Sequence, residues 1–437
     1  MSINTKCSVK TPPETRSASV CQPIRPVMAR IVMLFVCAFG ALNATSQDLP
    51  VTVLPSPNVD LTQAGVVRSV LRQPDGNWLV AGNYQRLGTV RRPGLGRLAA
   101  DGSVDTSFQP VTSLSPANIR QIVSRDDGSS LVLHINLVQR LLSNGTVDPT
   151  FSSLQFNPTF ANSIVVVSDG FIVGGNFTQV LTSPATTVQR LAKFGFDGSL
   201  ISTFSVGVNS NIRVMQATGP DEIIVGGIFT QAGGQARTGL ARISTSGAGA
   251  LVADWNPVLT RSGGSVSIED IAVVGNEVFI TGLFDTVNGA TRTRAAKLGL
   301  TTGVVDPVWN VAVTGAQTAS LRVVPHNTSV ILSTGQPQTY ANPPAAGISR
   351  RAARIDRTSG VIDTGFDPAM FSENVPSFTA TDGDSPTRLL IAGNFVQVDA
   401  VQRFGLAQLD AAGRLDLQSG HVEAINPEPC RVWCSIL

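Results

Sequence analysis

The sequence predicts an all-β fold made of small, repeated antiparallel sheets, and three observations predict it. The chain carries 41 Gly and 26 Pro in a composition that is 42% hydrophobic. That balance belongs to many short strands joined by tight turns, since Gly supplies positive φ and Pro presets φ. Hairpin dipeptides recur at Asp127-Gly128, Asn144-Gly145, Asp169-Gly170 and Asp197-Gly198. Both central positions of such turns favour positive φ. Finally, two short phrases return along the chain at regular intervals.

The first phrase, Gly-x-apolar-Asp-x-x-aromatic, reads GSVDTSF at 102–108, GTVDPTF at 145–151, GVVDPVW at 303–309 and GVIDTGF at 360–366. Degenerate copies lie at 198–204, around Asp254-Trp255 and at 413–419. The second phrase, apolar-x-Gly-x-aromatic, reads VAGNY at 80–84, VGGNF at 173–177, VGGIF at 225–229, ITGLF at 280–284 and IAGNF at 391–395. Weak copies fall near Leu133 and Ser333. Seven units of roughly 43 to 57 residues result, from about Val66 to Ser419.

Within the first unit, VVRSVL, a turn at 74–77, WLVAGNY, a long loop, LGRLA, a turn at Asp101-Gly102 and SVDTSF spell out four strands. One such sheet cannot bury both of its faces, but radial stacking of seven covers everything except the short edges. The expected fold is therefore all-β, a seven-bladed β-propeller of four-stranded antiparallel blades over residues 51–420. Immunoglobulin-like sandwiches repeat at about 100 residues and parallel β-helices use much shorter rungs, so the period excludes both. Closure of such a ring draws on both chain ends. Residues 51–59 are the expected closing strand, and residues 421–437 an unrelated C-terminal tail.

A PDG turn (Pro74-Asp75-Gly76), a VGGNF-like strand, an Arg-Leu strand (Arg97-Leu98) and a terminal GxxDxxF together resemble the delta-60 repeat family, propeller-forming repeats of exported bacterial proteins. The resemblance covers about 350 residues. It implies fold and export, and it carries no catalytic motif to transfer. The second unit departs from the pattern, with HINLV at 134–138 in place of the glycine strand and its loop, and the last unit decays.

Arg30, the apolar run Ile31 to Leu42, and small residues at Ala44 and Ser46 read as a secretory signal within a leader of residues 1–46. The run is shorter than the roughly 20 residues a membrane span needs. Translation is expected to begin at Met28, and the processed chain is expected to be secreted, periplasmic or on the cell surface. Cys7, Cys21 and Cys37 belong to this leader, which leaves Cys430 and Cys434 at the far end, bridged or idle. Against 32 basic residues stand 30 acidic ones, so no electrostatic footprint for nucleic acid is present.

Catalytic supply is thin. The three histidines, His134, His326 and His421, fall in degenerate units or the tail and read as packing or surface residues. Neither a GxSxG elbow, nor an HExxH helix, nor a P-loop is present. No cofactor and no metal are expected, because hairpin chemistry alone accounts for the acidic turns at 126–128 and 382–384. The repeated Asp105, Asp148, Asp306, Asp363 and Asp416 each follow Arg97, Arg140, Lys297, Arg354 or Gln408 by eight or nine residues. Across a short hairpin that spacing gives internal ion pairs, with a ring of channel cations as the alternative. Ile201 stands where an Asp would meet Lys193, leaving that cation without its partner.

Binding is expected on the loops between second and third strands, which share one rim of the scaffold. Arg92, Arg237, Arg292, Arg351 and Arg403 are the candidate rim residues, for an extracellular protein or an acidic glycan. The expected function is an exported, non-catalytic binding or scaffold module. The alternative is a propeller enzyme acting on polysaccharide or a small polar substrate, which needs acid and base side chains converging at the channel mouth.

Overall fold

The computed structural model describes residues 63–64, 66–110, 119–315, 320–342, 346–368, 370–371, 389–393, 395–416 and 424–426. The leader, the strand expected at 51–59, His421, the acidic turn at 382–384 and both terminal cysteines lie outside the described residues. Among the described residues every regular element is a strand.

The fourth unit shows the complete plan. Ile212–Gly219, Glu222–Gly227, Leu240–Ser244 and Ala250–Leu251 form one antiparallel four-stranded meander. Three-stranded sheets serve elsewhere, as in Val66–Arg72, Trp78–Asn83 and Leu95–Leu98, or Ser267–Val274, Glu277–Leu283 and Ala295–Gly299. There the expected fourth strand shrinks to single bridges, Leu98↔Val104, Phe194↔Leu200 and Leu298↔Val305 among them. The repeated Asp explains the shortening. Asp105 N–H donates to the Arg97 carbonyl at 2.9 Å, and its carboxylate accepts the Ser107 N–H at 2.8 Å, which turns the chain out of the ladder. Asp148 and Asp306 repeat the device, and the prolines that follow them, Pro149 and Pro307, have no N–H with which to extend a strand.

The second strands are near-continuous apolar runs, because both of their faces are covered by other sheets. Phe171, Ile172 and Val173 are fully buried, as are Ile223, Ile224 and Val225. Core clusters fill the spaces between successive sheets. Ile172 and Phe204 meet Ile212 and Phe229; Trp255 meets Ile268 and Phe284; Trp309 meets Leu321 and Tyr340. A further cluster joins the two ends of the repeat series, with Ala392 and Leu406 packed among Val67, Val80 and Tyr84.

Cations add a second tie between neighbouring sheets. Arg97, Arg140, Lys297 and Arg354 each pair with the aspartate eight or nine residues on, at 2.7, 2.5, 2.9 and 2.5 Å. Each also donates to a carbonyl of the next unit: Arg97 to Ser143 at 2.8 Å, Arg140 to Phe196 at 2.6 Å, Lys297 to Arg357 at 2.9 Å, and Arg354 to Ala411. The phrase aromatic completes the arrangement, since Arg97, Arg140 and Arg354 lie over the rings of Phe108, Phe151 and Phe366. Lys193, without an aspartate at the usual place, instead takes Asp169 from the turn between the first two strands, at 2.7 Å. In the last unit Gln408 reaches Asp416 only at 3.5 Å.

The long loop after the second strand folds into a small hairpin, as Arg86–Leu87 with Val90–Arg91 and Thr286–Val287 with Ala290–Thr291. Each hairpin then pairs with the segment arriving from the unit before it. Leu259 faces Val287 and Thr260 faces Thr286; Phe156 faces Val180 and Met370 faces Val398 in the same way. For the first unit's hairpin the partner comes from the other end of the chain. Strand Ala424–Asn426, read from sequence as part of an unrelated tail, sets Ala424 against Leu87 and Ile425 against Arg86. Gln63–Ala64 pairs with its other edge, and Val67 N–H donates to the Gly393 carbonyl at 3.1 Å.

Candidate functional site

In six units the first strand carries, at its first or second position, a buried apolar residue, Val67, Ile119, Ala161, Ile212, Ile268 or Leu321, followed by a polar one. In the first five units the pairing register skips that polar residue, so Arg68, Arg120, Asn162, Arg213 and Glu269 each sit on a β-bulge. A bulge re-aims a side chain and interrupts the two-residue alternation of a strand. All five, together with Arg322 of the sixth unit, line one cavity of about 780 Å³ between the first strands. Since Val67 pairs with Gly82 and Ile268 with Gly282, at the far ends of the second strands, this level of the cavity lies at the end that carries the long hairpins.

Side chains at the following position tie the first strands together. The Ser69 hydroxyl accepts Ile122 N–H at 3.4 Å, the Gln121 amide oxygen accepts Ile164 N–H at 3.0 Å, and the Ser163 hydroxyl accepts Met215 N–H at 3.1 Å. On the far wall Glu269 and Asp270 take Leu321 N–H and Val323 N–H at 2.9 and 3.0 Å. Burial pushes the Asp270 carboxyl above the usual carboxylate range, against the pull of Arg322, whose Nη1 is 3.9 Å away. Arg68 and Arg120 stand on the neighbouring first strands of the first two units. Burial, and then the like charge of Arg68, weaken the hold of Arg120 on its proton. The Arg120 guanidinium lies 5.5 Å from the ring of Phe160, which is 48% exposed.

The loop arginines singled out in the sequence do not join this cavity. Arg237, Arg292 and Arg403 are buried, Arg92 and Arg351 half-buried, and their guanidinium groups donate to backbone carbonyls. Arg92 reaches Thr106 at 3.0 Å, Arg237 reaches Ala253 at 2.8 Å, Arg292 reaches Asp306 at 2.6 Å, Arg403 reaches Gln402 at 2.7 Å, and Arg351 reaches Gly335. These bonds tie hairpins to their own units. The aspartates of the repeated phrase are likewise engaged. Although burial pushes the Asp105 carboxyl up, the Ser107 hydroxyl, Arg97 and the Ser107 N–H together bring it down to about 2.

His134 occupies the strand position where Gly82, Gly175, Gly227 and Gly282 stand in other units, paired with Ile119. Burial lowers its pKa from 6.5 to about 4. The unfolded chain therefore takes up a proton at a pH where the folded chain refuses it. The stabilising contribution is complete above about pH 6.5 and is lost as the pH falls toward 4. Between pH 7.5 and 5 the expected loss is about 2 kcal/mol. Denaturant titrations of wild type and His134→Leu at both values check it; the variant shows the smaller pH dependence. Among the described residues no three His, Cys, Asp or Glu side chains gather in a way that could hold a metal ion.

Repeated antiparallel sheets stacked on shared cores define a β-propeller repeat protein. Three stretches of the chain, residues 73–108, 220–248 and 388–418, match a family model described as a β-propeller domain of unknown function, DUF5122. No curated protein matches the chain. Among solved structures, the computationally designed Ika8 protein is similar at 9% identity and a TM-score of 0.47, covering 84% of this chain and 91% of its own. The extracellular domain of a one-component system protein, BT4673 of B. thetaiotaomicron, is 13% identical with a TM-score of 0.46, over 79% of this chain and 38% of its own. The WD40 β-propeller domain of Doa1 is 13% identical with a TM-score of 0.40, over 66% of this chain and 77% of its own.

Proposed function

We propose that the chain forms a closed ring of seven blades and works outside the cytoplasm as a binding or scaffold module, with the hairpin-bearing end as its recognition face. The observation that carries this reading is strand Ala424–Asn426. It follows the last repeat, yet it meets the first hairpin in the register by which Leu259–Thr260 meets Thr286–Val287. The cluster of Ala392 and Leu406 with Val67 and Tyr84 supports the same closure. Export rests on the leader-like run Ile31 to Leu42. A closed ring leaves no long sheet edge open to pairing with other chains. It also holds its hairpins on a rigid frame, the arrangement on which recognition is usually built.

Ile425→Pro tests the closure, because proline cannot donate to the ladder. The full-length variant is expected to lose about 1–2 kcal/mol of stability and to be cut sooner by protease in its first and last units. An unchanged unfolding midpoint and digestion pattern would overturn the ring. The second reading, an enzyme, draws on Glu269 and Asp270, neighbouring carboxylates on the cavity wall, one of them raised by burial. A panel of polysaccharides incubated with the full-length chain separates the two. Retention without release of reducing ends fits the binding module; release that Asp270→Asn abolishes establishes the enzyme.

A further inference from the structure

We infer that Arg68, Arg120 and Arg213, with Phe160 beside Arg120, form a binding site for a carboxylate-bearing oligosaccharide at the mouth of the cavity. The inference deepens the binding-module reading and rests on it.

What sets these cations apart is what they lack. The strand cations Arg97, Arg140, Lys193, Lys297 and Arg354 each hold a carboxylate, and the loop arginines hold carbonyls. Among the described residues, Arg68, Arg120 and Arg213 have neither a carboxylate nor a carbonyl partner, although all three face the same cavity. Arg68 and Arg120 stand on neighbouring first strands and repel each other, while Arg213 faces the same cavity from the fourth unit; an anion seated in the cavity relieves that repulsion. The three occupy equivalent bulges of the first, second and fourth units, while Asn162 takes the third and donates to Asn211 at 2.9 Å.

Guanidinium forks match carboxylate geometry with two parallel hydrogen bonds. A bare oxyanion would leave Phe160 unused, since its ring is 48% exposed beside Arg120. An apolar ring face next to cations suits the C–H face of a pyranose that carries its carboxylate toward the arginines. Glu269 and Asp270 on the far wall disfavour a second anionic group there and can accept sugar hydroxyls. A cavity of about 780 Å³ has room for several sugar rings.

Calorimetric titration of the full-length chain with trigalacturonate, its methyl ester and inorganic sulfate tests the site. Trigalacturonate is expected to bind, and the neutral ester to bind at least 10-fold more weakly. The double variant Arg68→Gln with Arg120→Gln is expected to lose 10-fold or more, whereas Arg414→Gln, on an exposed cation outside the cavity, leaves affinity unchanged. Phe160→Ala weakens trigalacturonate and spares sulfate. Equal binding of acid and ester, or a double variant that unfolds like wild type and binds like wild type, would overturn the proposal. So would sulfate binding as tight as trigalacturonate, or trigalacturonate binding indifferent to Phe160→Ala. The Ile425→Pro experiment probes the ring without any ligand, so a failure of this site and a failure of the ring give different results.

Discussion

Trp309→Ala is expected to lower stability by about 4 kcal/mol, measured as a shift of the denaturant midpoint. Trp309 is the aromatic of GVVDPVW and is 1% exposed. Its ring meets Phe279 edge to face, with centroids 5.4 Å apart, and its Nε1–H crosses to the next sheet to donate to the Asp356 carbonyl at 3.1 Å. Truncation empties the space that unites Phe279, Leu321 and Tyr340, and also leaves that carbonyl without this donor. Trp309→Phe keeps most of the apolar volume and loses the indole N–H, so about 1–2 kcal/mol is expected. A cost for the alanine variant below about 1 kcal/mol would show that this core does not couple the two sheets.

Gly282→Ala is expected to cost about 3 kcal/mol, for a reason that has nothing to do with backbone conformation. A Cβ at this position would lie 2.0 Å from the Ser267 carbonyl oxygen and 3.0 Å from the Ile268 Cα. The bulge at Glu269 throws its own strand's backbone across the second strand at that point. Gly219 supplies the contrast, with nothing within 4 Å of its Cβ position and an ordinary φ. Gly219→Ala is expected to stay within about 0.5 kcal/mol of wild type. Comparable losses for the two variants in the same denaturant series would remove the bulge from the explanation.

The all-β repeat plan was readable because turn chemistry and phrase spacing are local properties. Asp127-Gly128 and GSVDTSF announce a turn and a strand end without reference to anything distant. The fourth strand was over-read, since Asp105 looks like a strand residue in sequence but spends its carboxylate on turning the chain. Lys193 shows the limit of fixed spacing: its partner Asp169 lies upstream, across a different hairpin, where the eight-residue rule does not look. The cavity arginines escaped for a related reason. A bulge breaks the two-residue alternation from which facing is inferred, so nothing in VVRSV assigns Arg68 to the cavity. A usable signal was present all the same: Val67-Arg68, Ile119-Arg120, Ile212-Arg213 and Leu321-Arg322 place an arginine directly after an apolar residue near the start of equivalent strands. Loop position, by contrast, said nothing of where Arg237 and Arg292 would spend their donors.

The partner of Arg86–Leu87 is strand Ala424–Asn426, which has a consequence in time rather than in space. A chain emerging from the ribosome, or threading through a membrane pore, completes its first hairpin long before the matching strand exists. Until Ala392 and Leu406 arrive, Val67 and Tyr84 have nothing from the last unit to cover them, and until Ala424–Asn426 follows, the hairpin edge is open to any extended segment that passes. Contacts between distant parts of a chain also form slowly. The vulnerable species is therefore the chain whose residues 392–426 have not yet emerged, and a chaperone that served it would hold the first unit and release it last.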